Sequence, residues 1–187
     1  FAYRMLERGL PPAEQLEYLT IIKEESDRLS RLTSNTILLS KLSSQEYISK
    51  TEHFNLGEQL RQCSIILSHQ WLEKKLNFSG DFPDIDFAGN RELLQHLWLN
   101  LIGNAIQHPP YGGDVSILLK QQENKIIVTI TDTGEGMSEE TMKHIFIPYY
   151  QGDSSHFGQG LGLGLAIAKQ IVTLCEGEIS VESKLEE

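Results

Sequence analysis

Four glycines stand at alternate positions in GQGLGLGLAI, residues 158–167, and that stretch runs straight into AKQIVTLCEG. Ordering a glycine costs roughly 0.5–1 kcal/mol relative to alanine, so the cluster costs roughly 2–4 kcal/mol. A flexible linker accounts for it poorly, because Leu161, Leu163 and Leu165 would be left in water. A turn that brings backbone N–H groups close to an anion, at the start of an amphipathic helix, accounts for both residue types. Two familiar phosphate loops are excluded: no GK[ST] follows the glycines, and GxGxxG does not fit them.

Such a turn works here against a net charge of −10. That balance argues against a nucleic-acid binder, and it leaves any polyanionic ligand to be held by a metal ion or by backbone dipoles. The 187 residues suffice for one domain of good size plus a helical appendage. No apolar run reaches membrane-span length and no signal-peptide pattern opens the chain, so a cytoplasmic location without membrane contact is expected. The first residue is phenylalanine, which suggests a piece of a longer protein whose other parts could be membrane-anchored. Cys63 and Cys175 lack CxxC spacing and read as small buried hydrophobes of a reducing compartment.

Residues 11–42 read as one long helix with prolines at its entry. Ile22, Leu29 and Thr36 recur every seven residues, as do Glu25, Leu32 and Leu39, which makes a narrow coiled-coil-like seam. With FAYRMLER before Gly9, the expectation is a helical hairpin that pairs with a second copy. A second domain begins near Thr51. It opens with a helix from about Asn55 to Lys75, followed by strand candidates LNFSG and IDFAG. NRELLQHLWLNLIGNAIQH predicts a helix capped by Asn90, with Leu94, Leu97, Trp98, Leu101, Ile102 and Ala105 facing the core. DVSILLKQQENKIIVTITDTG predicts a hairpin turning at Glu123–Asn124. A short helix at 138–144, a helix at about 163–175 and a strand EISVES complete the pattern. Helices and hairpin strands in blocks imply an α+β fold, a two-layer α/β sandwich over residues 51–187, preceded by an α-helical hairpin segment over residues 1–50.

His96, Asn100, Asn104 and His108 are spaced four apart and form a stripe beside the apolar face of their helix. Two asparagines in one frame offer carbonyl oxygens of the kind magnesium accepts, with its remaining oxygens coming from water and phosphate. A zinc site fails on geometry, since His96 and His108 lie roughly 18 Å apart along a helix. In TITDTGEGM, Asp132 stands where a strand ends, and a lone carboxylate there can accept hydrogen bonds from an exocyclic amine such as an adenine edge presents. An ordinary Asp-Gly turn explains the same residues equally well when they are taken alone. IFIPYYQGD supplies an aromatic cluster that could anchor a mobile loop.

In this order, LWLNLIGNAIQH, DTGEGM, FIPYY and GQGLGLGLAI resemble the N box, first glycine box, F box and second glycine box of the sensor histidine kinases of two-component signalling. These are members of the gyrase-like (Bergerat) ATP-binding superfamily. The likeness runs from about Thr51 to the end, and EQLEYLTIIKEESDRLSRLTSNTILLSKL is similar to the second helix of the family's dimerisation and histidine-phosphotransfer domain. The resemblance implies the histidine-kinase ATPase fold, ATP and Mg2+ as ligands, and transfer of the γ-phosphoryl to a histidine and then to a response-regulator aspartate. It implies that Asn100 is the catalytic residue and that Asn100 and Asn104 hold the magnesium-bound phosphates. Asp132 would take the adenine amine, Gly134 and Gly136 would shape its pocket, and His108, Met137 and Tyr149 would line the site. Gly160, Leu161, Gly162, Leu163 and Gly164 would form the end of a lid, mobile from Gln151 to Gly160, with N–H groups toward phosphate. The implied partners are the protein's own dimerisation domain, within a homodimer, and a response-regulator receiver domain.

The chain also departs from the family. Gln107 and His108 stand where Lys or Arg and then Tyr are common, and Gln151 stands where many members carry Arg, so magnesium, Lys143 and His108 supply the positive charge. None of the six histidines sits in a phosphoacceptor context, which places the acceptor upstream of Phe1, and a final strand is expected after VESKLEE. Two alternatives stay open. A gyrase-type hydrolase would need a Glu base where Asn100 stands. A non-catalytic nucleotide-binding module would need no base at all.

Overall fold

The computed structural model describes residues 11–43, 51–123, 125–151 and 162–185. The segment FAYRMLER and the connection 44–50 lie outside the described residues, so the expected hairpin turn lies outside them too. Helix α1 spans Pro12–Ser43, about 48 Å at 1.5 Å per residue. Its C-terminal end joins the rest of the molecule: Leu42 is fully buried, and Leu38 and Leu39 pack beside it. Farther up, Leu16, Leu19, Leu29 and Ile37 are half exposed or more; of the expected seam's apolar residues Leu29 is exposed, while Ile22, Leu32 and Leu39 are half-buried.

The remainder runs β1 (Glu52–Asn55), α2 (Leu56–Ile66), α3 (Ser68–Glu73), β2 (Asn77–Asp81), β3 (Asp86–Gly89), α4 (Arg91–Gln107), β4 (Asp114–Gln122), β5 (Lys125–Asp132), α5 (Glu139–His144) and α6 (Gly164–Leu174). β1 and β3 pair antiparallel, while β2, β4 and β5 form a second sheet in that order, with β2 parallel and β5 antiparallel to β4. Val115, Ile117 and Leu119 of β4 are buried and their neighbours are not, which is the period-2 pattern of a sheet covered on one face. Ile126, Val128 and Ile130 of β5 extend that face. α4 and α6 cover it with Ile102, Ala105, Ile106, Ile167, Ala168 and Ile171, so the two-layer expectation holds.

The Asn90 cap expected from sequence forms, and Asn55, where a helix start is expected, caps α2. Asn55 Oδ1 accepts from Glu58 N at 2.9 Å, and Asn90 Oδ1 accepts from Leu93 N at 3.0 Å. Three expectations need correction. The single helix over 55–75 breaks at Leu67 (φ −90°, ψ 3°). Ser64 Oγ donates back to Leu60 O in the last turn, which bends helices, and the break lets Trp71 stack on Phe78 of β2 with ring centroids 5.1 Å apart. EISVES forms no strand among the described residues. Ser183 Oγ instead accepts from Met137 N at 2.9 Å, so this stretch is held by the turn after β5 rather than by a sheet edge. Cys63 is buried, as expected, and burial pushes its thiol up to about 11, but Cys175 sits exposed at the C-cap of α6.

One buried polar bridge fixes α2 against α4. Trp98 Nε1 donates to Gln59 Oε1 at 3.1 Å, and Gln59 Nε2 donates to Arg91 O at 2.7 Å; Gln59 is 3% exposed. Gln59→Ala strands the indole N–H in a buried cavity, and urea unfolding should show a loss of about 2–4 kcal/mol. Adding Trp98→Phe to that variant should cost less than Trp98→Phe costs in the parent, because the indole donor has already lost its acceptor. Simple additivity would mean that the bridge carries no coupling.

Candidate functional site

α4 carries the expected stripe, with His96, Asn100 and Asn104 half-buried and His108 exposed at the C-cap. Asn100 Nδ2 donates to His96 O at 2.8 Å. This orients the amide, leaving Oδ1 to face the first residue of α6: a Cβ built on Gly164 would lie 3.0 Å from Asn100 Oδ1. Leu163, the N-cap of α6, offers no side-chain hydrogen bond, so the cap residue leaves the first-turn N–H groups to other partners. Its own side chain is fully buried in the core, and the contact expected of Leu163 can come only from its backbone. Among the described residues the Asn104 side chain has no hydrogen-bond partner, although it is half-buried.

The end of β5 brings other expected residues to the C-terminal end of α4, at His108. Gly134 N donates to Asp132 Oδ1 at 2.9 Å, the local turn that Asp favours, and among the described residues the second carboxylate oxygen stays free. Asp132 is exposed to solvent. Gly134 leans on the end of α4: a Cβ there would lie 2.7 Å from Asp132 Oδ1 and 3.1 Å from His108 Cβ. Gly136 adopts φ +76°, and a Cβ there would lie 1.9 Å from Lys184 O, so the tail residues press on this turn. Met137 is fixed by its N–H bond to Ser183, a contact with no signal in the local sequence. Thr133 ties the turn to β4, since its Oγ1 accepts from Asp114 N at 2.9 Å.

The aromatic segment meets the far end of the glycine stretch. Tyr149 N donates to Gly162 O at 2.8 Å, with Tyr149 at φ +66° and Gly162 at φ +64°. A Cβ on Gly162 would lie 2.7 Å from Tyr150 O, so this glycine serves close backbone approach. Tyr149 is 60% exposed, while Tyr150 packs on the His144 ring at 5.4 Å. Gly160, Leu161 and most of the expected lid lie outside the described residues. Lys143 is exposed on α5. Among the described residues no cluster of His, Cys, Asp and Glu could hold a metal ion, which leaves the asparagine oxygens of α4 as the candidate ligands. Sequence reasoning also missed Lys74, whose ammonium contacts the C-terminal turn of α4.

Residues 89–187 match the family described as histidine kinase-, DNA gyrase B- and HSP90-like ATPases. The heme sensor protein HssS of Staphylococcus saprophyticus is 37% identical over 90% of this chain and 36% of its own length. The sensor histidine kinase YvrG of Bacillus subtilis is 31% identical over 92% of this chain and 30% of its own. The chain thus spans about a third of these curated relatives. Full-length ShkA, solved in complex with AMPPNP, superposes with a TM-score of 0.72 at 25% identity, covering 91% of this chain and 36% of ShkA.

The turn after β5 yields a graded test of backbone constraint. Gly112 has φ +80° with no atom within 4 Å of a built Cβ, whereas Gly136 combines φ +76° with the Lys184 carbonyl. Gly112→Ala should cost about 1 kcal/mol from backbone strain alone. Gly136→Ala should cost about 3 kcal/mol or displace the tail. Urea denaturation of both compares them, and equal losses would mean that the tail does not press on Gly136.

Proposed function

Because the chain belongs to the histidine kinase-, DNA gyrase B- and HSP90-like ATPase family, we propose that it is the ATP-binding catalytic part of a sensor histidine kinase, transferring the γ-phosphoryl to a histidine and from there to a response-regulator aspartate. The observation that carries this reading is the meeting of three elements. The Asn100 oxygen faces the start of α6, Asn104 lies unpartnered on the same stripe, and Asp132 keeps one oxygen free beside His108. In this reading that free oxygen accepts the exocyclic amine of adenine. Gly134 and Gly136 let the turn lie flat against the base, beside Met137. The first-turn N–H groups of α6, with Gly160, Leu161, Gly162 and Gly164 before and at its start, take the phosphates. His108 and Tyr149 stand at the rim.

The residues present fit a magnesium ion. Among the described residues the half-buried Asn104 amide has no hydrogen-bond partner, and Asn100 has its donor engaged and no donor on its oxygen, so both would hold the ion through oxygen. When bound, magnesium supplies charge neutralisation to the phosphates. The protein's own contribution is to position: a loose phosphoryl transition state needs alignment and fixed dipoles more than covalent help. A hydrolase is disfavoured because the Asn100 amide cannot take a proton from water, as a general base must. Helix α1, with Leu16, Leu19 and Leu29 exposed, suits pairing with a second copy in this reading, and residues 1–50 and 51–187 act as separate helical and catalytic units.

The test supplies the chain with a separate helical-hairpin domain bearing an acceptor histidine and follows acid-labile phosphate from labelled ATP. Transfer should occur, weakly because the reaction is bimolecular, and the chain alone should stay unlabelled. Asp132→Asn should lower transfer at sub-saturating ATP by about 5- to 150-fold. A single amide carbonyl cannot serve both the Gly134 N–H and the adenine amine, which costs about 1–3 kcal/mol of binding. ATP binding without transfer at high acceptor concentration would favour a nucleotide-binding regulatory module, with Gln107 and Gln151 as the weakened positions.

A further inference from the structure

An α-helix leaves its last carbonyls without intrahelical donors, and the two residues after the C-cap commonly supply N–H groups to them. α4 ends at the C-cap His108, and the next two residues are Pro109 and Pro110, neither of which has an N–H. The missing donors come from the turn before β2. Lys74 Nζ donates to Ile106 O at 3.1 Å, Gln107 O at 2.5 Å and Pro109 O at 3.1 Å. Three ammonium hydrogens meet three carbonyls, and a positive charge rests at the negative end of the helix. Pro109 is fully buried and Lys74 half-buried, which limits water as a substitute.

Neighbouring contacts make this a joint rather than an isolated bond. Gly112 N donates to Lys74 O at 3.0 Å, Asn77 N donates to Gly113 O at 2.8 Å, and Lys75 Nζ lies 5.4 Å from the Tyr111 ring centroid. The joint ends beside the residues that carry the proposed chemistry. His108 follows Gln107 directly, Gly134 fits against His108 Cβ, and the Gly134 N–H holds Asp132 Oδ1. We infer that Lys74 is a positioning residue for the nucleotide site: by closing the C-terminal turn of α4 it sets His108, and through Gly134 it sets the Asp132 carboxylate. This inference rests on the ATP-binding reading above. It also explains how a helix followed by two prolines can end sharply enough to pass beneath the turn after β5.

Lys74→Met keeps the stem and removes the donors. Two quantities are compared with the parent well below the thermal midpoint: the solvent-exchange rate of the Gly134 amide by NMR, without ligand, and the Mg–ATP affinity by calorimetry. The Gly134 amide should exchange about tenfold faster and ATP should bind about tenfold more weakly, as expected when a group near the ligand loses its support. A role limited to stability would lower the midpoint and leave both quantities at parent values, which overturns the inference. Rescue gives the second arm. Lys74→Cys in a Cys175→Ser background can be aminoethylated to regenerate an ammonium of similar reach, while buried Cys63, its thiol pushed up to about 11, stays unmodified. The alkylated protein should return to within about twofold of the parent on both measurements; a folded, alkylated protein that does not recover also overturns the inference. If the Met variant does not fold, Lys74→Arg serves, because its planar fork keeps the charge but cannot converge on three carbonyls. Parent-like Gly134 exchange in that variant would count against the convergent cap. A parent that binds no ATP would refute the nucleotide reading, while the ligand-free Gly134 comparison still decides the role of Lys74.

Discussion

The close approach of α6 to α4 at Gly164 is the contact on which the rest of the site depends. A Cβ at that position would stand 3.0 Å from Asn100 Oδ1, so a larger residue would push the helix start away from the asparagine stripe. Behind this contact the two helices share one apolar layer with the sheet, through Ile102, Ala105, Ile106, Ile167 and Ile171. Such interiors are packed densely enough to transmit sub-ångström shifts. The asparagine oxygens and the uncapped N–H groups therefore keep a fixed spacing before any ligand arrives.

The charge balance explains why the site is built this way. A chain with a net charge of −10 that is to hold a triphosphate needs local positive potential. Helix N-termini and backbone amides supply it without adding cationic side chains to the surface. Lys74 is spent on the carbonyls at the end of α4, and Lys169 lies 5.8 Å from the Phe146 ring centroid. Asp132 stays exposed with one oxygen fixed by Gly134, so that carboxylate is oriented without being desolvated.

Much of this was legible in the sequence because it is local. Asn90 as a cap, the alternating β4–β5 hairpin and the α4 stripe follow from periods and from side chains that act within three or four residues. What escaped depends on partners far away in sequence. Lys74 meets carbonyls more than thirty residues on, Ser183 meets Met137 46 residues back, and Trp71, freed by the α2–α3 break, stacks on Phe78 of β2. EISVES has a strand-like composition, but composition does not say whether a sheet edge lies beside it. Cys175 reads as apolar in sequence yet sits where α6 stops, which only the helix end decides.

In the proposed function one nucleotide joins the α4 stripe, the turn after β5 and the start of α6. Adding magnesium and an unhydrolysable ATP analogue to isotope-labelled protein tests it directly, through amide and asparagine side-chain resonances. The Nδ2 signals of Asn100 and Asn104 and the amides of Gly134, Gly136 and Gly164 should shift together along one binding curve, with β1 and β3 unaffected. Shifts confined to one of the three elements, or centred on the β1–β3 sheet, would contradict the account.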